Sequence, residues 1–127
     1  MVINKNILNT VCLKLKALSS LSTPYYLFHF YNAFDEGNEI FFNATDLSAF
    51  NCSYNLFDII ESGTSFVNLT ASTPSIYLFP LESWNYNIYE ATASTLSISA
   101  TTCVVLNTGK VIVVNNSGFN TLDSIYL

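Results

Sequence analysis

The sequence predicts an all-β chain, a single antiparallel β-sandwich of about eight short strands. Three observations lead there. Val, Ile, Thr, Tyr, Phe and Trp supply much of the chain, while the strong helix formers Ala, Glu, Lys and Arg are few or absent. Apolar residues recur with period two over several short stretches. Turn residues punctuate the chain at intervals of roughly 8–12 residues, as sandwich strands require.

The elements follow in order. Residues 10–16 read T-V-C-L-K-L-K, with Val11, Leu13 and Leu15 alternating with Lys14 and Lys16. A Ser-rich loop occupies 17–23. Pro24 then introduces an aromatic run over 25–32, short enough for a buried strand. Asp35-Glu36-Gly37-Asn38 is a turn, and 39–43 returns, so 25–43 is predicted as a hairpin. Residues 44–53 are an irregular connection or one helical turn. A strand is expected over 54–61, ended by Ser62-Gly63-Thr64, and a short one over 66–69. After a turn at 72–74 comes a strand over 75–81. A clean alternation then places Trp84, Tyr86, Ile88 and Glu90 on one face, with Asn85, Asn87 and Tyr89 on the other. Residues 91–100 are a loop or weak strand. Residues 102–114 are predicted as a hairpin, with its turn at Asn107-Thr108-Gly109-Lys110. The fold expected is Ig-like or jelly-roll-like, one domain over 1–127, with terminal arms at 1–9 and 115–127.

Composition narrows the function. Half of the 127 residues are apolar and only 10% are charged, against about a quarter in a typical soluble domain. Neutral polar residues fill the gap: 15 Asn, 15 Ser and 12 Thr. With four Lys (Lys5, Lys14, Lys16, Lys110), no Arg and a net charge of −5, the chain has little with which to neutralise phosphates, and no nucleic-acid partner is expected. No apolar run reaches the length of a spanning helix, and 1–16 lacks a leader's apolar core, so neither membrane nor export is expected. So few charges suit a free monomer badly. They suit a protein whose surface is covered by neighbours.

Chemistry finds little support. The odd set Cys12, Cys52 and Cys103 has no CxxC spacing and reads as small buried residues rather than a zinc site. His29 stands alone in an aromatic strand, without a visible nucleophile or orienting acid. Asp35, Glu36, Glu39 and Asp46 lack the EF-hand order and read as a solvated turn. Asp58 and Glu61 share one strand, which argues against a carboxylate pair across a cleft. Four Asn-x-Ser/Thr sequons (Asn43, Asn51, Asn68, Asn115) are expected by chance in so Asn-rich a chain. No enzyme activity, cofactor or metal is expected. The aromatics leave a binding alternative open: Tyr25, Tyr26, Tyr31, Tyr89 and Trp84 would suit a protein or carbohydrate surface.

A resemblance gives this a direction. Thr23-Pro24-Tyr25-Tyr26-Leu27-Phe28-His29-Phe30-Tyr31-Asn32 is followed by Glu39-Ile40-Phe41-Phe42 and Asp46-Leu47-Ser48. Then come Tyr54-Asn55-Leu56-Phe57-Asp58-Ile59, Glu61-Ser62-Gly63, Trp84-Asn85-Tyr86-Asn87-Ile88-Tyr89-Glu90 and Asn107-Thr108-Gly109-Lys110-Val111. The order resembles small β-sandwich virion proteins of tailed bacteriophages of Bacteroidetes, including the crAss-like phages. It spans about residues 10–114, and its motifs are strand and turn signatures without catalytic content. Ser53 stands where the family tends to carry Arg, and Ser83 where it tends to carry Gly. The resemblance implies an auxiliary capsid protein made in the host cytoplasm and ending on the virion surface. There it would decorate the head lattice in multiple copies, by binding the major capsid protein beside neighbouring virion proteins. Many weak contacts on a lattice would replace one strong one. The alternatives are a head-fibre, neck or tail component, or a β-sandwich module that holds host-surface glycans. Partner contacts are expected from the two arms, through Ile3, Ile7 and Leu8 at one end and Phe119, Leu122, Ile125, Tyr126 and Leu127 at the other.

Overall fold

A computed structural model describes residues 1–21, 24–49, 53–64, 67–79, 83–98 and 103–114. Eight strands and no helix are found among them. They are β1 (Val2–Asn4), β2 (Ile7–Leu13), β3 (Tyr25–Asn32), β4 (Glu39–Ala44), β5 (Asn55–Glu61), β6 (Ser75–Ile76), β7 (Ser83–Ala91) and β8 (Cys103–Val114). They form two sheets. One has five strands in the order β1-β8-β7-β3-β4 and curls into a half-barrel; the other has three, β2-β5-β6.

The central strands lie where the sequence puts them. β3 and β4 form the expected hairpin around the Asp35–Asn38 turn, with Phe28 opposite Phe42 and Phe30 opposite Ile40. β7 lies antiparallel to β3, with Phe28 opposite Ile88 and Phe30 opposite Tyr86. Trp84, Tyr86, Ile88 and Glu90 are buried, as the alternation predicts. Phe57 on β5 meets the rings of Phe28 and Tyr26 edge-on, at 5.0 and 5.4 Å between centroids. One apolar core therefore draws on both sheets, and each large aromatic in it is worth about 3–5 kcal/mol against truncation to Ala.

Five expectations need correction. The sheets are mixed rather than purely antiparallel: β1 runs parallel to β8, and β6 parallel to β5. The predicted 102–114 hairpin is one strand, paired with β7 from Cys103 to Ile112. Gly109 sits inside it, opposite Tyr86, where an added Cβ would lie 2.8 Å from that ring. The glycine therefore answers a close approach, not a turn. A register shift between Ile88 and Tyr89 leaves Leu106 without an opposite residue, which breaks the period that the sequence pattern relies on.

The stretch 75–81 contributes only the two residues of β6 among those described, and Asn68 makes a single bridge to Ser75 where a strand over 66–69 was expected. Lastly, 1–9 is no arm. It forms β1 and the start of β2, and Ile3, opposite Val113 of β8, is fully buried in the core. The Met1 amino group donates to the Lys110 carbonyl at 3.1 Å, and the Met1 carbonyl accepts from Ile112 N–H at 2.9 Å. The segment is short, and burial of one β-branched side chain plus a parallel ladder fixes it.

Candidate functional site

The two ends of β5 each carry a polar network. At the Glu61 end the carboxylate has no solvent exposure. It pairs with Lys5 Nζ at 3.1 Å and accepts N–H bonds from Asn6, Gly63 and Leu78 at 3.2, 2.6 and 2.7 Å. Lys5 also donates to the Leu78 carbonyl at 2.7 Å and lies 4.7 Å over the Tyr77 ring. Asn6 adopts φ of 60°, the left-handed conformation Asn tolerates, and so turns the chain from β1 into β2. Both Glu61 oxygens face donors, so the network is a closed clasp.

The Asn55 end is open. Asp46-Leu47-Ser48 forms an Asx turn in which Asp46 Oδ1 accepts Ser48 N–H at 3.0 Å and Leu56 N–H at 3.1 Å. Its Oδ2 accepts from Asn55 Nδ2 at 2.8 Å. The same Asn55 amide donates to the Tyr26 hydroxyl at 3.2 Å, while its Oδ1 accepts the N–H groups of Leu15 and Lys16. Burial alone would push the Asp46 carboxyl up. The hydrogen bonds from Ser48, Leu56 and Asn55 outweigh it and hold the carboxyl below its ordinary value. Glu90 behaves alike: burial pushes up, but bonds from Ser19, Ser20 and Leu21 bring it below. The Tyr26 phenol is pushed up, chiefly by burial and further by the Asp46 and Glu90 charges, against the pull of the Asn55 bond.

Two adjoining cavities open around this network, sharing Pro24, Tyr26 and Asp46. One, of about 340 Å³, is lined also by Tyr25, Thr45, Thr70 and Ser94. The other, of about 420 Å³, is lined by Lys16, Ser19 and Ser48. Loops after β2, β4 and β7 meet here, so a folded scaffold brings together side chains far apart in sequence. Asn43 fixes the last of these loops, donating to the Thr95 carbonyl at 2.8 Å and accepting from the Ser94 hydroxyl at 3.1 Å.

His29 lies elsewhere, on the outer face of the five-stranded sheet. Its ring stacks on Phe41 at 4.2 Å and on Tyr31 at 5.1 Å. Nε2 meets Glu39 Oε1 at 2.8 Å and Nδ1 meets Asn87 at 3.4 Å. Both ring nitrogens thus serve the sheet, and among the described residues no hydroxyl or thiol nucleophile is bonded to them. The turn acids do not gather: Glu36 and Glu39 lie near His29, whereas Asp46 is past the far end of β4. Asp58 faces outward and accepts from Thr10 at 2.7 Å, while Glu61 faces in. Among the described residues no group of three His, Cys, Asp or Glu could hold a metal. Cys12 and Cys103 are free thiols; Cys12 is exposed rather than buried, and Cys52 lies outside the described residues.

The expected contact residues divide. Ile3 belongs to the core and cannot meet a partner in this fold. Ile7 and Leu8 are exposed on β2. Phe119, Leu122, Ile125, Tyr126 and Leu127 lie outside the described residues. Of the aromatics, Trp84 and Tyr26 are buried, Tyr31 and Tyr89 are half-buried, and Tyr25 is 51% exposed. Two apolar surfaces face outward. Val2 and Ile112 sit opposite each other on β1 and β8, 54% and 57% exposed. On the three-stranded sheet, Leu8 lies opposite Ile60 and Cys12 opposite Leu56. The cleft was hidden in the sequence, because Tyr26, Asp46, Asn55 and Glu90 carry no local motif beyond the Asp-x-Ser of the Asx turn.

No protein-family model matches the chain, and neither a curated protein nor a solved structure matches it. No helix among the described residues is long and apolar enough to cross a membrane.

Proposed function

We propose that the chain is a structural virion protein, an auxiliary capsid protein that decorates the phage head by binding the major capsid protein. In this reading the two sheets are the halves of a β-sandwich. The observation that carries it is the outward apolar pair Val2–Ile112 on one sheet, joined on the other by Leu8–Ile60 and Cys12–Leu56 flanking the polar Thr10–Asp58 pair. Outward apolar side chains paired across strands in this way offer an interaction site. It sits on a chain that is 10% charged, so neighbours on a lattice would supply the cover that charge does not. The strand and turn order that resembles phage virion proteins names the lattice.

Quantitative mass spectrometry of purified particles tests the reading. A copy number in fixed proportion to the major capsid protein is expected. A few copies per particle would move the chain to the head-fibre, neck or tail alternative, and absence from particles would overturn both. A second measurement addresses the surface: Ile112→Asp should leave the fold intact and abolish co-sedimentation with heads.

A further inference from the structure

We infer that the cleft around Tyr25, Tyr26 and Asp46 binds a neutral polyhydroxylated ligand, a pyranose unit of a saccharide. Its adjoining cavities of about 340 and 420 Å³ fall at the lower end of the range for small-molecule sites. The lining selects the chemistry. Among the described residues Lys16 and Asp46 are the charged ones that line it, so the site favours no net charge. Thr45, Thr70 and Ser94 add neutral hydroxyls on one side, and Ser19 and Ser48 on the other. Such a set donates and accepts, as a ring of hydroxyls requires. A phosphate would want more cations, and a lipid chain would want an apolar floor.

Two features make this a built site rather than a gap between loops. The Tyr26 hydroxyl accepts from Asn55, which leaves its own proton free to donate into the cleft. Ser48, Leu56 and Asn55 hold Asp46 ionised, and its Oδ2 accepts from Asn55 with acceptor capacity to spare. Tyr25 stands at the rim, half exposed, where its ring can cover the C–H face of a sugar. The ordering cost is low, because the polar groups are already positioned by the protein.

The inference stands apart from the assembly reading, since its test uses the isolated chain. Isotope-labelled full-length protein is titrated with glucose, galactose, mannose, fucose, N-acetylglucosamine and N-acetylgalactosamine, with glycerol as control. At least one sugar should move the backbone amide signals of Tyr25, Thr45, Ala71 and Ser94 saturably, while glycerol does not. Tyr25→Ala should weaken that binding about tenfold with an unchanged melting temperature. Thr70→Trp, which fills the first cavity from an exposed loop position, should abolish it. If no sugar in the panel moves these signals, or if the shifts persist in both variants, the inference is overturned.

Discussion

At one end of β5 the Glu61 carboxylate is sealed from water and answered by Lys5 and three N–H groups; at the other, Asp46 is held by neutral donors beside an open cavity. The two carboxylates are held by different means. A cation balances the buried charge at the closed end, and that end joins β1, β2, β5 and β6 into one clasp. Amides and peptide N–H groups suffice at the open end, because water and the cleft lower the cost of charge. A charge clasp costs less when complete and more when broken. A cradle of neutral donors leaves capacity over for a ligand. The stable end and the available end of the molecule are therefore distinguished by the partner of a carboxylate, not by the carboxylate itself.

The sharpest way to break the comparison is Lys5→Met. It leaves Glu61 buried without its cation and should cost about 3–5 kcal/mol in denaturant unfolding. A double variant, Lys5→Met with Glu61→Gln, should recover part of that loss. Asp46→Asn comes next. Its Oδ1 can still accept from Ser48 and Leu56, but its amide nitrogen faces the Asn55 amide, donor against donor. A loss of about 1–3 kcal/mol is expected, read in the same way.

Acid titration probes the open end. Asp46 and Glu90 are held below ordinary carboxylate values, so folding prefers their ionised forms. Their contribution is complete above the unfolded-chain range, near pH 4, and is lost as pH falls through the lower folded values. Stability followed from pH 7 downward should stay level and then drop, and Glu90→Gln should make the drop shallower. Least of all, Tyr25→Ala should change stability by no more than about 0.5 kcal/mol, since its ring is half exposed.

How much of this was legible depends on the range of each interaction. β3, β4, β5 and β7 are legible because period two, Pro24 and the Asp35–Asn38 turn are all local signals. β8 misleads because Asn-Thr-Gly-Lys has turn chemistry, whereas the reason for Gly109 is Tyr86, which lies across the sheet on β7. That reason predicts that Gly109→Ala costs about 1–3 kcal/mol through overpacking, measurable as a lowered denaturation midpoint. β1 is too short for any period to show. Lys5 and Glu61 are 56 residues apart, and Asn55 and Tyr26 are 29 apart. Neither the clasp nor the cleft leaves a trace in a window of sequence, since each exists only once the sheets have formed.

The parallel pairing of β1 with β8 also sets an order of events during synthesis. The Met1 amino group bonds to the Lys110 carbonyl, 109 residues away. β1 thus has no docking place until β8 has been made. Until then Ile3 waits in solution with its apolar side chain uncovered, and the hairpin of β3 and β4 can form without it. The five-stranded sheet is therefore completed only when the two described strands farthest apart in sequence meet.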